Sequence, residues 1–447
     1  MTRSLRIPLL AAAALLIGTR APLEPPTSGT RLVYRHAELI DGTGHALERD
    51  MAVVTDGERI AMVMPDRQLT STQLQGARQV DLTGKYLLPG LIDSHQHLAT
   101  PPDRVEAEAR LKRDIYSGIT ATRDMADDLR QIADITRAAR VGEIPSPDIA
   151  YAALMAGPSF FDDPRTQAIA QGAEAGKVPW EQAIDASTDM PLAVARAKGT
   201  YATAVKIYAN LPGALVAKIT REAHRQGMRV WAHGTVFPAT PLEVVDAGVD
   251  TVSHTCYLAY QAMAKRPNSY QHRFPVDAAF FTNDNPVMTK LFADMARRGT
   301  ILDATLHVYR EVEEAARKQN KPPLCTLAIG SKLTNQAYRL GVQISAGTDG
   351  DSPRGDAWPA LFDEFQLLHD AAGLPAMAVI QAATLTGAKA MGAEKDMGSI
   401  EAGKLANMVV LAKNPLDDVT NFRSVVMTVK RGRAFMRSDY GSATPGS

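Results

Sequence analysis

The sequence predicts a (β/α)₈ TIM barrel to which both ends of the chain add a small sheet domain. Two observations predict it. From about Tyr86 to Gly392, short apolar strand-like runs alternate with amphipathic helix-like runs, the pattern of parallel strands joined by crossover helices. Both flanks, residues 31–87 and 394–437, consist instead of short β-like runs punctuated by turn residues. At 447 residues the chain is long for one small domain and short for three, so a barrel over residues 88–393 with one satellite accounts for it.

The elements follow in order. Arg3 and Arg6 precede an apolar run at residues 7–18, and a proline-rich stretch follows to Thr30. Basic residues before about 7–15 apolar residues describe a secretory signal, whereas a bilayer span needs about 20. Residues 1–21 are read as such a signal, implying export to the periplasm or the exterior and no stable membrane insertion once it is removed. Pro22 directly after Ala21 is a poor position for cutting, so the cleavage point stays open, with an uncleaved anchor or a retained helix as alternatives. The first flank offers Leu32-Val33-Tyr34, Ala52-Val53-Val54, Ile60-Ala61-Met62 and Gln79-Val80-Asp81, with turns at Asp41-Gly42 and Asp56-Gly57. The second offers Met408-Val409-Val410-Leu411, Val425-Val426-Met427 and Ala434-Phe435-Met436.

In the middle, strands are expected at 90–95, 120–123, 148–152, 204–207, 230–233, 251–254, 301–304 and 343–346. Helices are expected at 105–116, 129–139, 214–226 and 286–298. The composition, 45% hydrophobic and 22% charged with 49 basic against 49 acidic residues, excludes a basic nucleic-acid binder and an acidic disordered tail. Cys256 and Cys325 read as two small buried hydrophobes; a bridge between them stays open, since sequence separation is no evidence either way.

The chemistry-bearing residues fall at the ends of the expected strands, where a barrel keeps its active site. The first strand ends in His95-Gln96-His97, and residues two apart on a strand share a face. The fifth ends in His233, the sixth in His254, and the eighth runs into Asp349. One histidine at a strand end carries no information; four with an aspartate in matching positions point to a metal site. Lys206 lies inside the apolar fourth strand, where a charged amine loses its hydration. It must find a partner, reach the rim, or become neutral, and a neutral amine can capture carbon dioxide as a carbamate able to bridge two metals.

The run Pro89-Gly90-Leu91-Ile92-Asp93-Ser94-His95-Gln96-His97, with the later His233, His254 and Asp349 and the tail Gly398-Ser399-Ile400-Glu401-Ala402-Gly403-Lys404, resembles the amidohydrolase superfamily over nearly the whole chain. Its imidazolonepropionase-like and Xaa-Pro-dipeptidase-like members, with a lysine on strand four, are the most similar. The resemblance implies a β-sandwich built from both termini. It implies that His95 and His97 bind a buried metal, His233 and His254 an exposed one, carboxylated Lys206 bridges them, and Asp349 binds metal and carries protons. One or two divalent ions are expected, zinc before manganese, cobalt or iron, because imidazole and carboxylate suit it. Zinc lowers the pKa of bound water from 15.7 to about 7.

The expected reaction is therefore hydrolysis of a peptide-like or N-acyl amide through a metal-bridging hydroxide. The alternatives are a mononuclear, imidazolonepropionase-like hydrolase of cyclic amides, and a non-catalytic ligand-binding barrel. Val236 stands where deaminase relatives place a glutamate, which speaks against base deamination. Tyr208 is a candidate for polarising the substrate carbonyl and His307, after strand seven, for facing the mouth. Arg123-Asp124 reads as an internal ion pair, and the aromatic-rich segment 256–298 as a lid. Phe160, Phe161 and Trp180 mark a second wall, and the helix-end His224 reads as a helix-dipole partner. No arginine or lysine is placed firmly enough to specify a substrate carboxylate. A small-molecule substrate and a homo-oligomer complete the expectations.

Overall fold

The computed structural model describes residues 31–441; the export-signal reading of residues 1–21 lies outside them. Eight parallel strands form the barrel: Leu91–Gln96, Ile119–Asp124, Asp148–Ala156, Ala204–Ile207, Arg229–His233, Thr251–Ser253, Ile301–Asp303 and Ile344–Ser345. Each pairs with the next in chain order. The ring closes where Ser94 N–H of the first strand donates to the Ala346 carbonyl beyond the last, at 2.8 Å. Every expected strand is present within a few residues, the third four residues longer than the sequence indicated.

The helices form for local reasons that the sequence carries. Helix Pro286–Arg298 starts with proline after Asn285, whose side chain accepts from the Val287 and Met288 N–H groups. It ends at Gly299 in the left-handed conformation, φ 74°. Its buried residues are Met288, Leu291, Phe292 and Met295, at the i, i+3, i+4, i+7 spacing that puts them on one face.

Both flanks merge into one mixed sheet of eight strands beside the barrel. Strand Met408–Leu411 runs antiparallel to Tyr86–Pro89, which pairs with Arg31–Leu39. Lys430 fastens this sheet to the barrel. Its buried amine donates to the Ser146 carbonyl at 2.9 Å and lies 3.0 Å from Asp148, at the start of the third barrel strand.

Two sequence readings are corrected. Cys256 and Cys325 are not separate buried thiols but a disulfide, 69 residues apart in sequence and 6.0 Å apart at Cα. The bridge ties the 3-10 segment Thr255–Gln261, directly after His254, to the start of helix Leu327–Arg339. Arg123 and Asp124 do not pair. Adjacent strand residues project from opposite faces; Arg123 turns inward to Asp303 at 3.2 Å, while Asp124 accepts from Leu98 N–H at 3.1 Å.

Candidate metal centre

At the carboxyl ends of the barrel strands, His95, His97, His254 and Asp349 converge. His95 Nε2 and His97 Nε2 lie 3.4 and 3.6 Å from Asp349 Oδ1, and His254 Nδ1 lies 3.7 Å from Asp349 Oδ2. Ligand atoms of His95, His254 and Asp349 all fall within 4.8 Å of one another. His233 stands beside this group, its ring centroid 4.4 Å from that of His254, and its Nδ1 accepts from the Thr235 N–H at 2.9 Å.

Each of the three converging histidines is aimed by a second residue. His95 Nδ1 meets Asp303 Oδ2 at 2.7 Å, His97 Nδ1 meets Asp127 Oδ1 at 2.7 Å, and His254 Nδ1 meets the Thr305 hydroxyl at 2.9 Å. For His95 and His97 a carboxylate fixes the proton on Nδ1 and leaves the Nε2 lone pair facing Asp349, the arrangement of metal-ligating imidazoles. Asp303 is itself held by Ser253 at 2.8 Å and by Arg123. Asp93 joins strands one and eight below them, accepting from His95 N–H at 3.0 Å and from the Thr348 hydroxyl at 3.0 Å. Asp127, Asp303 and Thr305 were not singled out in the sequence; the available signal was a carboxylate or hydroxyl at the end of strands two and seven.

The backbone at the site is strained. His254, Thr305 and Asp349, after strands six, seven and eight, have φ of 75°, 50° and 47°. Left-handed conformations in residues other than glycine are uncommon and collect at functional sites. Here the bends turn consecutive strand ends toward a common point.

Electrostatics favour ligand capacity. Burial, reinforced by neighbouring positive charge, holds His95, His233 and His254 well below the usual imidazole range, so they are neutral. Burial opposes His97 protonation too, but Asp127 and Asp349 outweigh it and raise its pKa. Burial pulls Lys206 down to about 7 against the attraction of Asp303, and its buried Nζ has no hydrogen-bond partner. An orphaned, half-neutral amine beside neutral imidazoles and a carboxylate fits a divalent metal and a group added to the lysine.

A cavity of about 270 Å³ opens over this cluster, lined by His95, His97, His254 and Asp349 and by Thr100, Ala126, Leu154, Phe160, Arg165, Thr166, Ile169 and Tyr208. Tyr208 is on the wall, its ring 4.6 Å from His233 and stacked 4.7 Å from Phe160. His307 is not on the wall. The chain leaves strand seven through left-handed Thr305, which breaks the extended register that aimed His307 at the mouth. It sits at the start of helix Leu306–Lys318, its backbone N–H bonded to Glu364 at 2.7 Å and its Nε2 3.9 Å from Glu311. His224 pairs with Asp250 at 2.9 Å, so a specific carboxylate joins the helix end in holding it. From the segment read as a lid, Tyr257 and Tyr270 each stand 5.8 Å from the His233 ring.

Replacing Asp127 or Asp303 with asparagine should weaken metal affinity about 10–100-fold, the usual cost of losing such a partner, with little change in unfolding temperature. Competition with a chromophoric chelator measures it; unchanged affinity in both variants would remove these carboxylates from the site.

The amidohydrolase family profile matches residues 86–435, and the chain belongs to that family, whose members generally bind divalent metals. Among curated proteins it is 38% identical over 130 residues to an imidazolonepropionase of Arthrobacter sp. (strain FB24), covering 27% of this chain and 30% of the relative. It is 29% identical over 126 residues to a 5-methylthioadenosine/S-adenosylhomocysteine deaminase of Thermoanaerobacter pseudethanolicus, covering 25% and 29%. The chain thus matches less than a third of the length of these relatives. A solved Xaa-Pro dipeptidase with methionine in its active site superimposes with a TM-score of 0.71 at 22% identity, covering 91% of this chain and 100% of that one.

Proposed function

We propose that this protein is a metal-dependent amidohydrolase that cleaves a peptide-like or N-acyl amide bond of a small molecule. The observation that carries the reading is the group of His95, His97 and His254 around Asp349, each histidine aimed by its own partner. His95, His97, His254 and Asp349 would hold a divalent ion, zinc first, with His233 and a carboxylated Lys206 completing a second position. When bound, the ion supplies Lewis-acid activation of water and of the substrate carbonyl. Asp349 takes the proton of the attacking water and returns it to the leaving nitrogen. Tyr208 borders the carbonyl from the cavity wall, and Phe160, Leu154 and Ile169 give that wall its apolar surface.

A second reading, a single ion acting on a cyclic amide, is favoured by the compactness of the group His95, His254 and Asp349, whose ligand atoms lie within 4.8 Å of one another. The Cys256–Cys325 disulfide supports an oxidising compartment and hence export. Among the described residues no helix is long and apolar enough to cross a membrane.

The test is hydrolysis of a panel of dipeptides, N-acyl amino acids and cyclic amides by protein stripped with a chelator and then reloaded with zinc and bicarbonate. Turnover of at least one amide is expected, lost on stripping and regained on reloading. Turnover that survives complete stripping would sink the metal-dependent reading.

A further inference from the structure

Helix Leu306–Lys318 follows strand seven directly and starts without the cap that its own sequence offers. The first N–H groups of a helix have no partner inside it, and a threonine just before the helix ordinarily satisfies one of them with its hydroxyl. The next helix shows the ordinary case: the Thr326 hydroxyl, in a residue with φ −112°, accepts from Ile329 N–H at 3.2 Å. Thr305 is the corresponding residue of helix Leu306–Lys318, but its φ and ψ are 50° and 49° and its side chain bonds no N–H of the helix. Its hydroxyl meets His254 Nδ1 at 2.9 Å instead. The missing cap comes from another part of the chain. Leu306 N–H donates to one carboxyl oxygen of Glu364 at 3.1 Å and His307 N–H to the other at 2.7 Å. Glu364 is fully buried on helix Leu361–Gln366. Burying a carboxyl is costly unless its oxygens meet donors, and these two N–H groups are those donors. The grip matters because only Leu306, His307 and Tyr309 of helix Leu306–Lys318 are buried, so this helix is held to the barrel at its first turn.

We propose that Glu364 is a positioning residue of the metal centre: by capping helix Leu306–Lys318 from outside, it releases the Thr305 hydroxyl to aim His254. The inference rests on the metal-dependent reading above. A β-branched residue in the left-handed conformation is strained and persists only where its surroundings hold it. Thr305 is held on both sides, by His254 at its hydroxyl and by Glu364 at the two residues that follow it. Without Glu364 the helix start keeps buried N–H groups with no acceptor, which is costly. A Thr305 that returned to the extended conformation of Thr326 would satisfy one of them, and its hydroxyl would leave His254. Glu364 does not line the cavity over the histidines, so its influence on the metal runs through Thr305 and His254.

The experiment measures zinc affinity by chelator competition on wild type, Glu364→Gln, Thr305→Val, the double variant and Asp363→Asn, with the unfolding temperature of each. Glutamine keeps the length of Glu364 and one acceptor but sets its NH₂ against the other N–H; valine keeps the branching of threonine and removes the hydroxyl. Each of the first two variants is expected to weaken zinc binding about tenfold or more, the usual cost of disturbing the partner of a ligating histidine. The double variant should bind within about twofold of Thr305→Val, because Glu364 has nothing to act through once the hydroxyl is gone, and a double-mutant cycle reads this as coupling. Asp363 joins the same two helices at the surface, 2.7 Å from Arg310. Asp363→Asn should change zinc affinity less than about twofold, whatever the loss of that exposed pair does to the unfolding temperature. If Glu364→Gln does not fold, Glu364→Asp, one methylene shorter, takes its place in the cycle with the same expected outcomes. Unchanged affinity in the Glu364 variant, losses that multiply in the double variant, or an equal loss in Asp363→Asn overturns the proposal, while zinc binding by wild type leaves the metal-dependent reading standing. A wild type that binds no zinc overturns both.

Discussion

Asp349→Asn is expected to lower kcat by about 10³-fold, within the range that a positioned acid–base group contributes, without a matching fall in stability. Asparagine is the informative replacement because residue 349 has φ 47°, a conformation asparagine tolerates better than alanine. The backbone N–H of residue 349, bonded to the His95 carbonyl at 3.0 Å, is untouched. What disappears is a carboxylate that can accept and return a proton beside His95 and His97, 3.4 and 3.6 Å away. Metal content measured on the same samples separates lost proton transfer from lost metal. A variant that keeps its metal and loses less than about tenfold in kcat would remove Asp349 from the proton path.

Much of this site was legible because strand ends are local. His95, His97, His233, His254 and Asp349 each follow an apolar run, and the barrel pattern says that such ends meet. The partners that aim the imidazoles were less visible. Asp127 sits in the run Asp124-Met125-Ala126-Asp127-Asp128, and nothing local says which of its carboxylates turns toward His97. His307 failed for a related reason: alternation holds while a strand stays extended, and a single left-handed residue, Thr305, cancels it. The disulfide and the Arg165–Tyr270 hydrogen bond depend on segments 69 residues apart for Cys256 and Cys325 and 105 apart for Arg165 and Tyr270. No local pattern reports such meetings.

The strained strand ends connect fold to chemistry. Three left-handed residues in succession around the ring each cost of order 1–3 kcal/mol, and the surrounding structure must hold them in place. At two of them the restraint is visible: Asp349 is fixed through the His95 carbonyl, and His254 N–H bonds the Asp303 carbonyl at 2.9 Å. The same residues that bend the chain thus present the ligands, so a metal finds its donors already converged.

Lys206→Met should have the most informative consequences of any single change. If the amine is carboxylated and bridges two ions, about two metals per chain in wild type reloaded with zinc and bicarbonate should fall to one or fewer. Hydrolysis should drop by about 10³-fold, since polarisation by the second ion is worth several kcal/mol. The pH dependence has a definite sign. Burial lowers the amine from 10.5 to about 7, so between these values the folded metal-free protein binds fewer protons than the unfolded chain. Stability contributed at this position is therefore fully present above 10.5 and lost as pH falls to about 7. Metal-free Lys206→Met should accordingly be more stable than metal-free wild type, by a margin that widens as pH falls through this window and is constant below it. The neutral amine runs the opposite way, its fraction rising as pH rises through about 7, so at fixed dissolved carbon dioxide metal loading of wild type should increase over the same interval. Denaturant titration of the metal-free proteins and metal analysis of the reloaded ones read the two effects separately. One metal in both proteins, with loading independent of carbon dioxide, would discard the carbamate bridge and put the single-ion hydrolase of cyclic amides first.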